Sequence, residues 1–492
     1  MQVRLILDQP HNHFTNLDVI TGSVALQVPV TTSVSHINVK LEGEARTRLM
    51  SPPGPDPRRD RPRPVVEIHK LLYRVQKVFP PDDPSAGPGP TYLISPGNYT
   101  YPFQFKLPFN NSCNNQNTVA TNVSFAGFQL EVAKNPTHHV KATLPPSIYY
   151  PGEAEIRYYV KCTVNRPSIL KENPRAFCNL AFVPIEPPRA PTDGEVYARR
   201  QHQFIHDVHP PALPERKGSA FSDIMKRKSS TPSSPATANL PPARWSIDAR
   251  LPNPAILTCG QDIPLKLIIK QLSERAEPLF LETLQIELVG HTPVRAHEVV
   301  RTENNSWVIT SLSNLNQSIG TPSDPVGTET ELSKEFWYGH NLPDTVAPSF
   351  VTCNIARSYE LVVSVGLSYG APKAGMHNQR IVLQLRTNVE VYSGITPPAD
   401  LLKRMEAQAQ NPAFDHPPMQ AQPASMAPPG YSGPLQPGAQ APPHNVSGME
   451  DAPPSYEDAV ATDLPPLAGA RPAYRPPTAP EGESTIDEKR RH

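Results

Sequence analysis

Long apolar runs are missing from this chain of 492 residues. The best is Leu361 to Leu367, far short of the roughly 18 residues that a spanning helix needs. At the N-terminus, MQVRLILDQPH, the apolar run is cut by Asp8, so no signal peptide is expected and the chain reads as a cytosolic, non-spanning protein. A surplus of either charge is also missing: 46 Lys+Arg balance 46 Asp+Glu. Without a bulk positive field, nucleic acid is not an expected partner. Cysteine is scarce. Cys113, Cys162, Cys178, Cys259 and Cys353 are odd in number, widely spaced and form no C-x-x-C, which argues against a disulfide framework or a structural zinc. The 16 histidines show no ligand spacing, and His138 and His139 read as surface residues ahead of a strand. No metal and no cofactor is expected.

Proline, by contrast, is abundant: 63 residues, against a usual ~5% of a chain. It cannot be spread through packed strands, because it lacks an amide donor and fixes φ. It concentrates in two places, 11 prolines from Pro184 to Pro242 and 20 from Pro397 to the C-terminus. Elsewhere one pattern recurs, alternation with period 2. Ile37, Val39, Leu41, Gly43 and Ala45 alternate with polar neighbours. So do Tyr99, Tyr101, Phe103, Phe105 and Leu107, and Ile156, Tyr158, Val160, Cys162 and Val164. The second half repeats it at Ile263 to Ile269, Leu284 to Leu288 and Ile381 to Leu385. Strands with one wet and one dry face belong to antiparallel sheets packed dry face to dry face. Helical periodicity is nowhere long enough to supply crossover helices. The expected class is an all-β sandwich.

An internal repeat makes it two. Ile37-Asn-Val-Lys-Leu-Glu-Gly43 matches Leu284-Gln-Ile-Glu-Leu-Val-Gly290, and Leu144-Pro-Pro-Ser-Ile148 followed by Tyr158 echoes Pro348-Ser-Phe350 followed by Tyr359. Tandem sandwiches are therefore expected over 1–185 (with a disordered Pro/Arg loop at about 51–64) and 244–396. A Pro/Ser-rich linker over 186–243 and a tail from 397 to 492 complete the chain. The tail opens with a short helix near Ala399 to Ala407. Beyond Gln410 it has one Ile, two Val and three Leu, too little apolar surface to offset ordering entropy, and reads as disordered.

Enzyme-like strings fail on context. Gly366-Leu-Ser368-Tyr-Gly370 fits G-x-S-x-G, but a nucleophile elbow needs strand–turn–helix, and here a strand ends in a turn at Ala371-Pro372. His297-Glu298-Val-Val-Arg301 lacks the second histidine of a zinc motif. No P-loop or dinucleotide fingerprint occurs. No enzyme is expected.

The tail carries Pro428-Pro429-Gly430-Tyr431 and Pro453-Pro454-Ser455-Tyr456, two P-P-x-Y matches where composition predicts about 0.1. In a polyproline II helix with three residues per turn, the prolines stack in an aromatic groove and the tyrosine drops into the next pocket. These are candidate WW-domain ligands. Arg471-Pro472-Ala473-Tyr474 is a degenerate third. In the linker, Ser230 has Arg227 at minus three and Pro232 at plus two, the arrangement that 14-3-3 proteins accept once the serine is phosphorylated.

Asp18-Val-Ile-Thr-Gly22-Ser-Val24, Val39 to Arg46, Ser95-Pro-Gly-Asn-Tyr-Thr-Tyr-Pro-Phe-Gln-Phe-Lys-Leu-Pro108 and Leu144-Pro-Pro-Ser-Ile148 resemble the α-arrestin (arrestin-domain-containing) family of fungi and animals. So does Pro348 to Leu361 in the second half. The resemblance covers about 1–396, with gaps; the Pro/Arg loop and the long interdomain insertion depart from it. No charged triad of the visual-arrestin type can be placed by motif. The resemblance implies an adaptor that engages cytosolic tails of plasma-membrane transporters or receptors. Its tail would recruit a HECT-type ubiquitin ligase, promoting cargo ubiquitination and endocytosis. The expected location is cytoplasmic, with recruitment to plasma membrane and endosomes through cargo. The alternative is an ambient-pH type signalling scaffold linking a membrane sensor to endosomal sorting machinery.

Overall fold

The computed structural model describes residues 1–8, 13–53, 62–81, 91–113, 136–168, 172–204, 242–274, 277–370, 379–403, 464–467 and 471–475. Within them the chain is almost wholly β. The first lobe contains β1 (Gln2–Leu7), β2 (Val19–Val28), β3 (Thr32–Val34), β4 (His36–Met50), β5 (Pro64–Phe79), β6 (Tyr92–Ile94), β7 (Gly97–Lys106), β8 (Ile148–Tyr150), β9 (Ala154–Asn165) and β10 (Arg175–Leu180). One sheet runs β1-β2-β7. The other runs β10-β9-β4-β5, with β8 added to β9, and β3 pairs β6 apart from both. The dry faces predicted by alternation meet in one core, where Ile37, Val39, Leu41, Val160 and Val164 are fully buried.

The second lobe contains β11 (Glu195–Phe204), β12 (Ala243–Pro252), β13 (Ile256–Thr258), β14 (Lys266–Gln271), β15 (Leu279–Ala296), β16 (Val299–Leu312), β17 (Gln317–Ile319), β18 (Glu329–Glu331), β19 (Phe350–Val351), β20 (Ala356–Tyr369) and β21 (Gln379–Tyr392). Its sheets are β11-β12-β14-β18 and β13-β21-β20-β15-β16. Among the described strand pairs, β13 with β21 is the one parallel contact. Trp245 and Trp337 lie in this core, and Trp307 packs against it.

The repeat seen in the sequence is reproduced atom by atom. Gly43 of β4 faces Tyr158 of β9, and Gly290 of β15 faces Tyr359 of β20. The Tyr158 hydroxyl donates to the Pro145 carbonyl, as the Tyr359 hydroxyl does to Ala347. Ser147 Oγ accepts from the Phe182 amide and Ser349 Oγ from the Val391 amide, both at 3.0 Å. The Pro-Ser turn that each lobe carries is thus fixed by the same tyrosine and the same serine.

Gly43 itself is dictated by the close approach of Tyr158. A Cβ there would lie 2.6 Å from two ring carbons and 3.0 Å from Leu72 Cβ. Gly43→Ala should therefore destabilise the first lobe by about 1–3 kcal/mol, the usual penalty of overpacking. Calorimetry should show a first-lobe transition at lower temperature while tryptophan fluorescence, confined to the second lobe, melts as before. A first-lobe transition unchanged by the added methyl would contradict this packing.

Three boundaries differ from expectation. Residues 186–204 are ordered parts of the body rather than linker: β11 pairs with β12 over its whole length. It is an edge strand whose only buried side chain is Phe204, so it lacks the apolar alternation that marks a strand in sequence. The Pro/Arg loop is closed at its base, where the Ser51 amide donates to the Arg63 carbonyl and the Arg63 amide to Ser51 Oγ. Pro64 can open β5 because β5 is an edge strand. The tail is the third, and it bears on function.

Candidate functional site

The tail returns to the body. Leu464–Leu467 and Arg471–Arg475 lie in the groove between the lobes, where Leu464 and Tyr474 join Leu17, Phe109, Ile185 and Ile395 in a third apolar cluster. The groove is prepared by residues 13–18. Leu17 takes a left-handed backbone (φ 71°), and Asn16 pins the loop through hydrogen bonds to Pro108, Phe109 and Ile185. That turn leaves the Asp18 carboxylate inside the groove, 5% exposed. Arg471 meets it with two parallel bonds, 2.8 Å to Oδ2 and 2.7 Å to Oδ1. Paired charges are what make such burial tolerable.

Further anchors flank this ion pair. Tyr474 donates its hydroxyl proton to the Ser147 carbonyl at 2.6 Å, and burial pushes its pKa well above 10. Pro472 packs 3.1 Å from where a Cβ on Gly394 would sit. The Arg475 amide donates to the Asp344 carbonyl at 2.9 Å, and its guanidinium pairs with the Asp344 carboxylate at 3.1 Å. Lys106 donates to the Leu464 carbonyl at 2.5 Å.

This placement corrects one expectation. The sequence predicts Tyr474, with Pro472, as a degenerate WW ligand in a disordered tail, yet its side chain is 7% exposed and its hydroxyl is taken. A WW groove needs that ring free, so in this conformation Pro472 and Tyr474 are groove contacts. The motifs at Pro428, Pro429 and Tyr431 and at Pro453, Pro454 and Tyr456 lie outside the described residues. So do Arg227, Ser230 and Pro232. The G-x-S-x-G serine is fully buried in β20 and donates to Glu282 at 2.7 Å, a strand residue with no nucleophile's setting.

Below the tail, the β15–β16 hairpin packs its tip on the first lobe. Thr47 donates to the Arg295 carbonyl, and Asn354 to the Ala45 carbonyl. Tyr150, Thr292 and the buried Arg357 form one hydrogen-bonded set across the seam. Here the sequence reading missed a constellation. His69, Cys113, His139 and Cys353 place one donor atom each within 4.8 Å of one another. His139, expected as an ordinary surface residue, is half-buried against Cys113. Their separations along the chain match no ligand motif, so spacing could not reveal them.

On the first lobe's outer sheet, Glu42 and Glu44 are buried beneath Lys70, Arg157 and Tyr159. Burial pushes the Glu44 carboxyl up, but the charges and hydrogen bonds of Lys70 and Arg157 outweigh it and hold the pKa below 4.5. A carboxylate lowered on folding contributes stability above its ordinary pKa and loses it as pH falls through the folded value. First-lobe stability should hold above about pH 5 and decline below it. Glu44→Gln should flatten that decline while lowering stability at neutral pH, as read from denaturant midpoints across pH. An unchanged acid limb would assign the sensitivity elsewhere.

Residues 3–182 match the N-terminal domain family described as arrestin (or S-antigen). Three similar proteins are named arrestin-related trafficking adapter 10. That of Lachancea thermotolerans is 28% identical over 123 residues, 23% of this chain and 28% of that protein. In Candida glabrata the figures are 31% over 153 residues, 29% and 28%. In Saccharomyces cerevisiae they are 29% over 138 residues, 24% and 25%. The matched segments thus span about a quarter of the length of these relatives. No helix among the described residues is long and apolar enough to cross a membrane. The matched N-terminal domain, the same sandwich built twice and the fungal relatives agree: residues 3–182 form an arrestin N-terminal domain, and the chain is similar to fungal arrestin-related trafficking adapters.

Proposed function

We propose that this chain is a trafficking adaptor that brings a WW-domain HECT-type ubiquitin ligase to plasma-membrane transporters or receptors. The observation that carries the reading is the pair of P-P-x-Y motifs, ending at Tyr431 and Tyr456, on a chain with an arrestin body. The relatives' name, trafficking adapter, supports the adaptor half. No catalytic constellation is needed. Holding a ligase beside cargo lysines raises its effective concentration, and ubiquitin transfer follows from proximity.

The docked tail sharpens this geometry. Tyr456 lies eight residues before Leu464, which is seated in the interlobe groove. Eight residues of fully extended chain reach about 30 Å at most, so a ligase bound at Tyr456 stays near the body. Phosphorylation of Ser230 beside Arg227, creating a 14-3-3 ligand, would regulate the adaptor from the interdomain segment. The cellular test is cargo turnover and ubiquitination in cells carrying Tyr431→Ala with Tyr456→Ala. Cargo that is still ubiquitinated and internalised at the normal rate removes the ligase half of the proposal.

A further inference from the structure

The geometry points to a structural metal site, tetrahedral and filled by zinc, formed by His69, Cys113, His139 and Cys353 across the seam between the lobes. Nothing in the adaptor reading requires it, and it stands or falls separately.

Cys113 Sγ is the hub. It lies 3.4 Å from His69 Nδ1, 3.3 Å from His139 Nδ1 and 3.6 Å from Cys353 Sγ. A tetrahedral zinc, with Zn–S of about 2.3 Å and Zn–N of about 2.0–2.1 Å, has edges of about 3.8 Å between sulfurs and about 3.6 Å between sulfur and nitrogen. The observed separations sit within a few tenths of an ångström of those edges. They are far beyond a disulfide bond, about 2.05 Å. They are also too tight for a two-iron cluster, whose second metal and bridging sulfides would drive the histidines away from the cysteines. Two thiolates and two imidazoles in a tetrahedron select zinc among common divalent ions.

Hydrogen counting supports a cation at the centre. His69 Nε2 is 2.7 Å from Glu67 Oε1, and His139 Nε2 is 3.3 Å from the Pro136 carbonyl. With both imidazoles neutral, as metal ligands are, each ring's single proton goes to the outer acceptor and each Nδ1 turns a lone pair inward. Two lone pairs and a second sulfur then face Cys113, whose thiol has one hydrogen to share. Carboxylate and carbonyl partners behind the histidines are the outer shell that orients metal ligands. The Val140 amide donates to Cys353 Sγ at 3.2 Å, the kind of bond that stabilises a thiolate. Behind the cluster, Arg295 bridges Glu67 and the Cys353 carbonyl at 3.0 and 2.6 Å.

The four ligands come from four places. His69 is on β5, Cys113 follows β7, His139 precedes β8, and Cys353 sits in the turn between β19 and β20. One ion would tie the second lobe to the first and close the chain between Cys113 and His139. Closing loops this long is where a clip constrains the unfolded chain most.

The test uses the full-length protein purified without added metal. Elemental analysis should find stoichiometric zinc, and replacement by Co(II) should give tetrahedral d–d bands with a thiolate charge-transfer band. Cys353→Ser should abolish both, His139→Cys should keep them, and Cys178→Ser, far from the cluster, should leave them untouched. Chelation should make Cys113 and Cys353 reactive to thiol reagents and lower the melting temperature. A wild-type chain that carries no metal and gives no thiolate–cobalt band at stoichiometric Co(II) would overturn the proposal, whatever the variants do. So would a Cys113–Cys353 disulfide in the isolated protein.

Discussion

Tyr431→Ala combined with Tyr456→Ala should abolish binding of the tail to tandem WW domains, while each single change weakens it by about two orders of magnitude. The asymmetry between one loss and two follows from bivalency. A P-P-x-Y contact buries few residues, so each is weak alone. Two motifs 25 residues apart on one chain make the second contact intramolecular, a gain of 10²- to 10⁴-fold over either one. Losing one arm forfeits that gain but leaves the other contact. Tyr456 should matter more than Tyr431, because Gly430 admits many conformations besides polyproline II, and Ser455 fewer. The internal control is Tyr474→Ala. Its ring lies in the interlobe groove, so WW affinity should not fall. Titration of purified tandem WW domains against full-length variants decides this. Full binding by the double variant would sink the bivalent mechanism. A fall with Tyr474→Ala alone would mean that the third motif is read as a ligand after all.

Arg471→Glu should release the docked tail and raise chymotryptic cleavage after Tyr474 about 100-fold. Asp18 and Arg471 are paired in a groove where their side chains are 5% and 18% exposed. Breaking a buried ion pair by removing one partner costs about 3–5 kcal/mol, since the remaining charge is left without compensation. Reversing the charge adds repulsion to that loss. The docked segment is held otherwise by apolar contacts, the Tyr474 and Lys106 hydrogen bonds and the more exposed Arg475–Asp344 contacts. Cleavage of a transiently opened segment tracks the open population when reclosing is fast, and 3 kcal/mol shifts that population about 10²-fold. Arg471→Lys, which keeps the charge but loses the two-pronged geometry, should fall between. The lobes themselves should melt as before. If cleavage after Tyr474 is as slow in Arg471→Glu as in the parent, the ion pair does not hold the tail.

Local patterns in this chain settled local things. Alternation at Ile37–Ala45 or Leu284–Leu288 is a property of a few consecutive residues, and it placed the central strands, the all-β class and the tandem repeat. The two P-P-x-Y motifs are legible for the same reason: their chemistry is contained in four residues. Packing decided the rest. Tyr474 carries nearly the same local signature as Tyr456, and only the groove beside Ser147 shows that its ring is seated. β11 shows little alternation because an edge strand needs a partner's hydrogen bonds more than a dry face. Asp18 finds Arg471 across 453 positions, and Cys113 meets Cys353 across 240. Separations of that size carry no periodicity, so no spacing rule reaches them. What brings such groups together is the closure of two sandwiches against each other, which orders distant turns at a cost that only the assembled core can offset.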